Sequence, residues 1–121
     1  MANTFKTVTF AAEPASAGTA YKMYTCPSST TTVVLGLVLA NIHTTAVTAE
    51  VELVSDTANR GGANNVANGT SLLVKDVSIP SGSSLEILSG SKVILEAGDK
   101  IQIDCSVADK ISGTLSVMEI T

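Results

Sequence analysis

Tryptophan is absent from this chain of 121 residues, and it holds only two phenylalanines, two tyrosines and one histidine. With so few rings, the core must be built from Val, Ile, Leu and Ala. A carbohydrate site, which relies on exposed rings to stack against sugars, has little to work with. A cupin-type metal centre needs several histidine ligands, and no Cys, His or Asp cluster at ligand spacing accompanies His43, the sole histidine. His43 is read as a polar residue at a strand end, and no metal or cofactor is expected. Basic charge is also sparse: seven Lys and Arg stand against eleven Asp and Glu, for a formal net charge of −4. The cations are spread singly, so no basic stripe exists to neutralise phosphates, and nucleic-acid binding is disfavoured on electrostatic grounds.

Long hydrophobic runs are missing too. The most apolar stretch, Val33 to Ile42, falls far short of the roughly 20 residues that span a bilayer. The opening Met1-Ala2-Asn3-Thr4-Phe5-Lys6 lacks the apolar segment of a signal peptide. The expectation is a soluble chain made in the cytoplasm, with no membrane partner. Only two cysteines occur. Cys105 continues the inward register of Ile101 and Ile103 and reads as a small core residue, while Cys26 precedes Pro27 at a strand end. Two reduced thiols are the simplest reading.

What the sequence does have is alternation. Hydrophobic residues make up 45% and charged residues 15%, which excludes disorder and leaves apolar surface for other chains to cover. One domain of residues 1–121 is expected, since a chain of this size buries about two-thirds of its unfolded surface. Strand signals fall at Thr4 to Phe10, Thr19 to Thr25, Thr30 to His43 and Ala46 to Val54. They resume from Leu72 through Val77, Leu85 to Leu88, Val93 to Leu95, Ile101 to Val107 and Ile111 to Ile120. Pro- and Gly-containing clusters separate them. Residues 1–18 read as an N-terminal arm and linker broken by Pro14, and 55–70 as a long Asn/Gly-rich exposed loop carrying Arg60.

From Thr30 to His43 both faces are apolar: Val33, Leu35, Leu37 and Leu39 on one, and Val34, Val38, Ala40 and Ile42 on the other. Thr and Val in succession, with Gly36, disfavour a helix. A strand apolar on both faces must be covered on both, which predicts a homo-oligomer. Ala46 to Val54 alternates cleanly, with Val47, Ala49, Val51 and Leu53 inward and Thr48, Glu50 and Glu52 outward. These patterns predict an all-β fold, an antiparallel β-sandwich of jelly-roll type with about eight or nine strands.

The chemical motifs reduce to turns. Ser89-Gly90-Ser91-Lys92 matches S-x-x-K, but it lies between strands and lacks the companion S-D-N and K-T-G elements. Asn68-Gly69-Thr70 fits a glycosylation acceptor, but without a secretion signal it is expected to be inert, and its Asn-Gly step is better read as turn chemistry. Glu96-Ala97-Gly98-Asp99-Lys100 is expected to be a hairpin turn. Glu50 and Glu52 share a strand face, as most solvated pairs at that spacing do. Nothing resembles a general acid/base pair, which needs one carboxyl in a shielded cleft, so an enzyme is not expected.

Several stretches resemble a family of small virion structural proteins of tailed bacteriophages. They are Tyr24-Thr25-Cys26-Pro27, Val34 to Asn41, Leu73 to Leu85 with its Ile-Pro-Ser-Gly-Ser core, Lys92 to Ile101 with Leu-Glu-Ala-Gly-Asp-Lys, and the closing Leu115 to Ile120. The resemblance covers most of the chain from Tyr21 onward. It implies a non-enzymatic β-sandwich subunit of the virion. The expected role is capsid decoration: a symmetric homo-oligomer, a trimer for example, that cements the major capsid protein from outside. A neck or tail position and a sugar-binding adhesive module presenting Tyr21 and Tyr24 are the alternatives. Asn3 to Phe10 could be either an arm that adds a strand to a neighbour or an ordinary first strand. The candidate interface residues are Phe5 and Phe10 as arm anchors, with Tyr21, Val38 and Arg60.

Overall fold

The computed structural model describes residues 2–55, 69–88 and 92–121. Arg60, most of the 55–70 loop and Ser89-Gly90-Ser91 lie outside the described residues.

Nine strands occur among these residues: β1 (Asn3–Glu13), β2 (Tyr21–Thr25), β3 (Thr31–Asn41), β4 (Val47–Val54), β5 (Thr70–Ile79), β6 (Ser84–Ile87), β7 (Val93–Leu95), β8 (Lys100–Cys105) and β9 (Ile111–Ile120). One sheet has the order β1-β9-β3-β6, with β7 also on β3, and the other has the order β2-β8-β4-β5. Every pairing is antiparallel. This is jelly-roll order, with the strand beside β3 broken in two as β6 and β7. The sandwich expectation holds.

The core lies between the sheets. Leu37, Leu39, Leu115 and Val117 from the five-stranded sheet meet Val51, Ile101 and Ile103 from the other, all fully buried. Aliphatic residues thus fill the interior, as the scarcity of rings requires. Val47, Ala49 and Val51 point inward with Leu53 packed against the same cluster.

Of the two readings of Asn3 to Phe10, the ordinary first strand holds and the arm does not: the segment pairs residue for residue with β9, from Asn3 opposite Ile120 to Phe10 opposite Gly113. Two further expectations need correction. β3 does not keep one parity along its length. Its register against β9 shifts between Val34 and Gly36, so Leu35 is an extra residue that reverses the alternation. Thr32, Val34, Leu37, Leu39 and Asn41 are therefore the buried set, and Val33, Leu35, Val38 and Ala40 face outward. Finally, Glu96 to Asp99 is a turn, closed by the Asp99 N–H on the Glu96 carbonyl at 2.9 Å with Gly98 at φ 92°, but not a hairpin. β7 and β8 belong to different sheets, so the turn carries the chain across the sandwich.

Candidate interface on the five-stranded sheet

Directly opposed residues of an antiparallel pair share a face, so the register identifies what the outside of each sheet presents. On the five-stranded sheet, Phe5 opposes Met118, Met118 opposes Val33, and Val33 opposes Ile94. These four make an apolar row across β1, β9, β3 and β7, with Phe5 72% and Ile94 54% exposed. The following rows are Thr7, Ser116 and Gly36, then Thr9, Thr114, Val38 and Glu86. Glu86 is the one charged side chain among the paired outward positions of this sheet. The four-stranded sheet is the opposite: Gln102 lies between Lys22 and Glu52, Glu50 opposes Asp104, and Lys100 opposes Val54. One sandwich thus carries a charged face and a nearly uncharged face.

The predicted interface residues divide accordingly. Phe5 and Val38, the latter 38% exposed, do lie on the uncharged outer face. Phe10 and Tyr21 do not. Phe10 is buried, packed edge-on against Tyr21 with ring centroids 5.1 Å apart at 64°, and lies over Gly113, where a Cβ would collide with its ring. Phe10 therefore anchors β1 to its own sandwich rather than to a neighbour. Tyr24 is also turned inward. Its hydroxyl donates to Glu119 Oε2 at 2.6 Å and bonds Thr32 Oγ1 at 2.8 Å. Each tyrosine is thus engaged inside the molecule rather than paired with the other in an open groove.

The Tyr24 contact belongs to a network that sequence reasoning missed. Glu119 occupies an inward position on β9 and is only 6% exposed. Its other oxygen takes the Lys6 ammonium at 2.7 Å, and Thr32 in turn meets Cys26 Sγ at 3.2 Å. Lys6 first, then the Tyr24 hydroxyl, hold the Glu119 carboxyl below its ordinary range, against the effect of burial. Burial first, and then the bond to Glu119, push the Tyr24 hydroxyl well above its own. The network joins β1, β9 and β3 to β2 across the sandwich. The only sequence signal was a glutamate in the otherwise apolar inward register of β9.

The remaining polar features are structural. Asn41, buried, donates to the carbonyls of Thr45 and Ile79, and its Oδ1 accepts the His43 N–H. The His43 carbonyl accepts the Ser81 hydroxyl, so this region pins the β3–β4 turn to the end of β5. A cavity of about 210 Å³ includes Glu50, Asp76 and Asp104 in its lining, but Glu50 pairs with Lys75 at 3.3 Å and Asp104 Oδ1 accepts the Gly18 and Cys105 amides. Among the described residues no group of His, Cys, Asp and Glu could hold a metal. Cys26 and Cys105 are free and buried. The Cys26 amide bonds the Asp99 carbonyl just before β8, whereas Cys105 ends β8, so they sit about 20 Å apart along that strand. That is beyond the reach of an internal disulfide.

No family model and no curated protein matches the chain. Among solved structures it is similar to a chain from Bacillus endospore appendages, which form a family of disulfide-linked pili. The two are 17% identical over 99% of this chain and 87% of that one, with a TM-score of 0.49, a distant likeness of overall fold.

Proposed function

We propose that the protein is a non-enzymatic structural subunit of a tailed-phage virion that decorates the capsid, with the outer face of its five-stranded sheet as the docking surface. The observation that carries this reading is the apolar row of Phe5, Met118, Val33 and Ile94 on a face with a single charged position. Uncovered apolar area of this kind marks a binding surface. Four strands about 4.8 Å apart and about 33 Å long present roughly 650 Å² in projection, close to one side of a standard protein interface. The jelly roll is a fold of viral capsid, lectin and cupin domains. The inward tyrosines weaken the lectin alternative, and the lone histidine weakens the cupin one. The occupant of the face is the capsid's major protein, and the charged face of the other sheet would point to solvent and keep particles apart.

The test is the copy number of the chain in purified particles, by quantitative mass spectrometry, together with binding of Ile94→Asp. Decoration predicts a count in simple ratio to the major capsid protein, and at least a tenfold weaker attachment of the variant to stripped particles. A count of a few rings places the subunit at the neck or tail. Absence from particles overturns the reading.

A further inference from the structure

A sandwich of two open sheets has four edge strands, and an exposed edge invites pairing unless something blunts it. Here three edges carry recognisable blunting devices. β5 is bulged twice against β4, with Asp76 at φ 49°, and it carries Lys75. β2 has five residues, a register shift at Met23 and a lysine, Lys22. The edge on β3 is split between β6, four residues, and β7, three. β1 has no bulge or break from Asn3 to Phe10: eight consecutive residues pair with β9 in unbroken register. The one charge in that span, Lys6, is half-exposed but held to Glu119 at 2.7 Å. All five residues from Asn3 to Thr7 are exposed.

The free side of β1 can be read from its ladder. The Thr121 N–H donates to the Ala2 carbonyl at 3.0 Å, and these two residues continue the β1–β9 register. Hydrogen-bonded sites alternate along an antiparallel pair, so Thr4, Lys6, Val8 and Phe10 aim their backbone groups at β9. The Phe10 carbonyl, which accepts the Ser112 hydroxyl at 3.3 Å, fits that series. Asn3, Phe5, Thr7 and Thr9 therefore aim their N–H and C=O groups off the sheet. Among the described residues no strand pairs on that side.

We infer that the β1 edge pairs antiparallel with the β1 edge of a second copy about a twofold axis, making one continuous sheet through the dimer. The occupant follows from the other three edges: a blunted strand cannot complement eight regular residues, so the matching edge is another β1. The pairing also sets two uncharged outer faces side by side as one enlarged docking surface. This deepens the capsid-decoration reading and rests on it for its purpose, although the edge pairing can be tested alone.

The test is Thr7→Pro, measured by sedimentation equilibrium of the full chain. Proline removes a donor that faces away from β9 and is tolerated at such edge positions. The wild type is expected to be a dimer and the variant to dissociate about thirtyfold more readily, because the twofold removes two main-chain hydrogen bonds at once. Its thermal midpoint should stay within a few degrees of wild type. In a second measurement, single cysteines are placed from Asn3 to Thr9 with the buried native thiols left in place. A twofold puts one position opposite its own copy, so disulfide dimer yield should peak at a single residue. A wild-type monomer or trimer, unchanged association of Thr7→Pro, or a flat cysteine profile each overturns the pairing. A monomeric Thr7→Pro that still attaches to particles supports the pairing and leaves decoration standing. A wild-type dimer absent from particles supports the pairing and removes decoration.

Discussion

Gly113 lies beneath the Phe10 ring on the neighbouring strand, where any Cβ would overlap ring carbons. The ring covers the gap that glycine leaves in β9, and glycine leaves room for the ring to stay buried. Gly113→Ala should therefore destabilise the protein by about 1–3 kcal/mol through overpacking, read by chemical denaturation. An unchanged midpoint would mean that the ring can move at no cost. Glu119 makes a prediction of a different kind. Its carboxyl titrates lower in the folded protein, under the influence of Lys6 and then Tyr24, than the value near 4.3 expected when unfolded. Its contribution to stability is thus complete above that unfolded value and is lost as pH falls through the folded one. Wild-type denaturation midpoints should drop on acidification over that window. Glu119→Gln should be less stable at neutral pH and show a shallower drop, and parallel profiles for the two proteins would remove Glu119 from the account.

At the scale of elements, β4 and β3 show what alternation can and cannot reveal. Val47, Ala49, Val51 and Leu53 alternate without a break, and all four pack with the core. In β3 an apolar run covers both faces, so nothing in its residue types marks where the parity reverses. The bulge at Leu35 is set by β9, more than seventy residues away in sequence, whose Ser116 and Val117 pair with Gly36 and Val34. Leu37 is consequently fully buried, while Val38 is 38% exposed on the outer face. Leu37→Asp should abolish folding, since an unpaired charge would sit in the core. Val38→Asp should fold with a midpoint near wild type by circular dichroism. Equal damage from both would contradict this register. Turn residues were legible in the same partial way. Pro80, Gly82 and Gly98 mark reversals correctly, but a turn does not announce whether the next strand stays in its sheet. Phe5 was expected at an interface only as an arm anchor alongside Phe10, and its exposed place on the outer face follows from the register of β1 against β9. The Lys6–Glu119–Tyr24 network was not legible, because its members come from distant strands that only the jelly roll brings together.

For the whole molecule, the division of labour between faces is the main result. The outer face of the four-stranded sheet carries Lys22, Glu50, Glu52, Lys100 and Asp104 among its paired positions, the composition of a solvated surface. The outer face of the five-stranded sheet carries threonine, serine and an apolar row. The molecule thus presents one charged side and one apolar, nearly uncharged side, with an unblunted strand at its margin. The sandwich order has a further consequence in time. β9 lies between β1 and β3, so the five-stranded sheet cannot close until a strand about a hundred residues after β1 arrives. Until then β1 has no partner of its own, and its outward edge is not yet an ordered template. A nascent chain that has not yet made β9 therefore offers its neighbours on the ribosome no regular β1 edge.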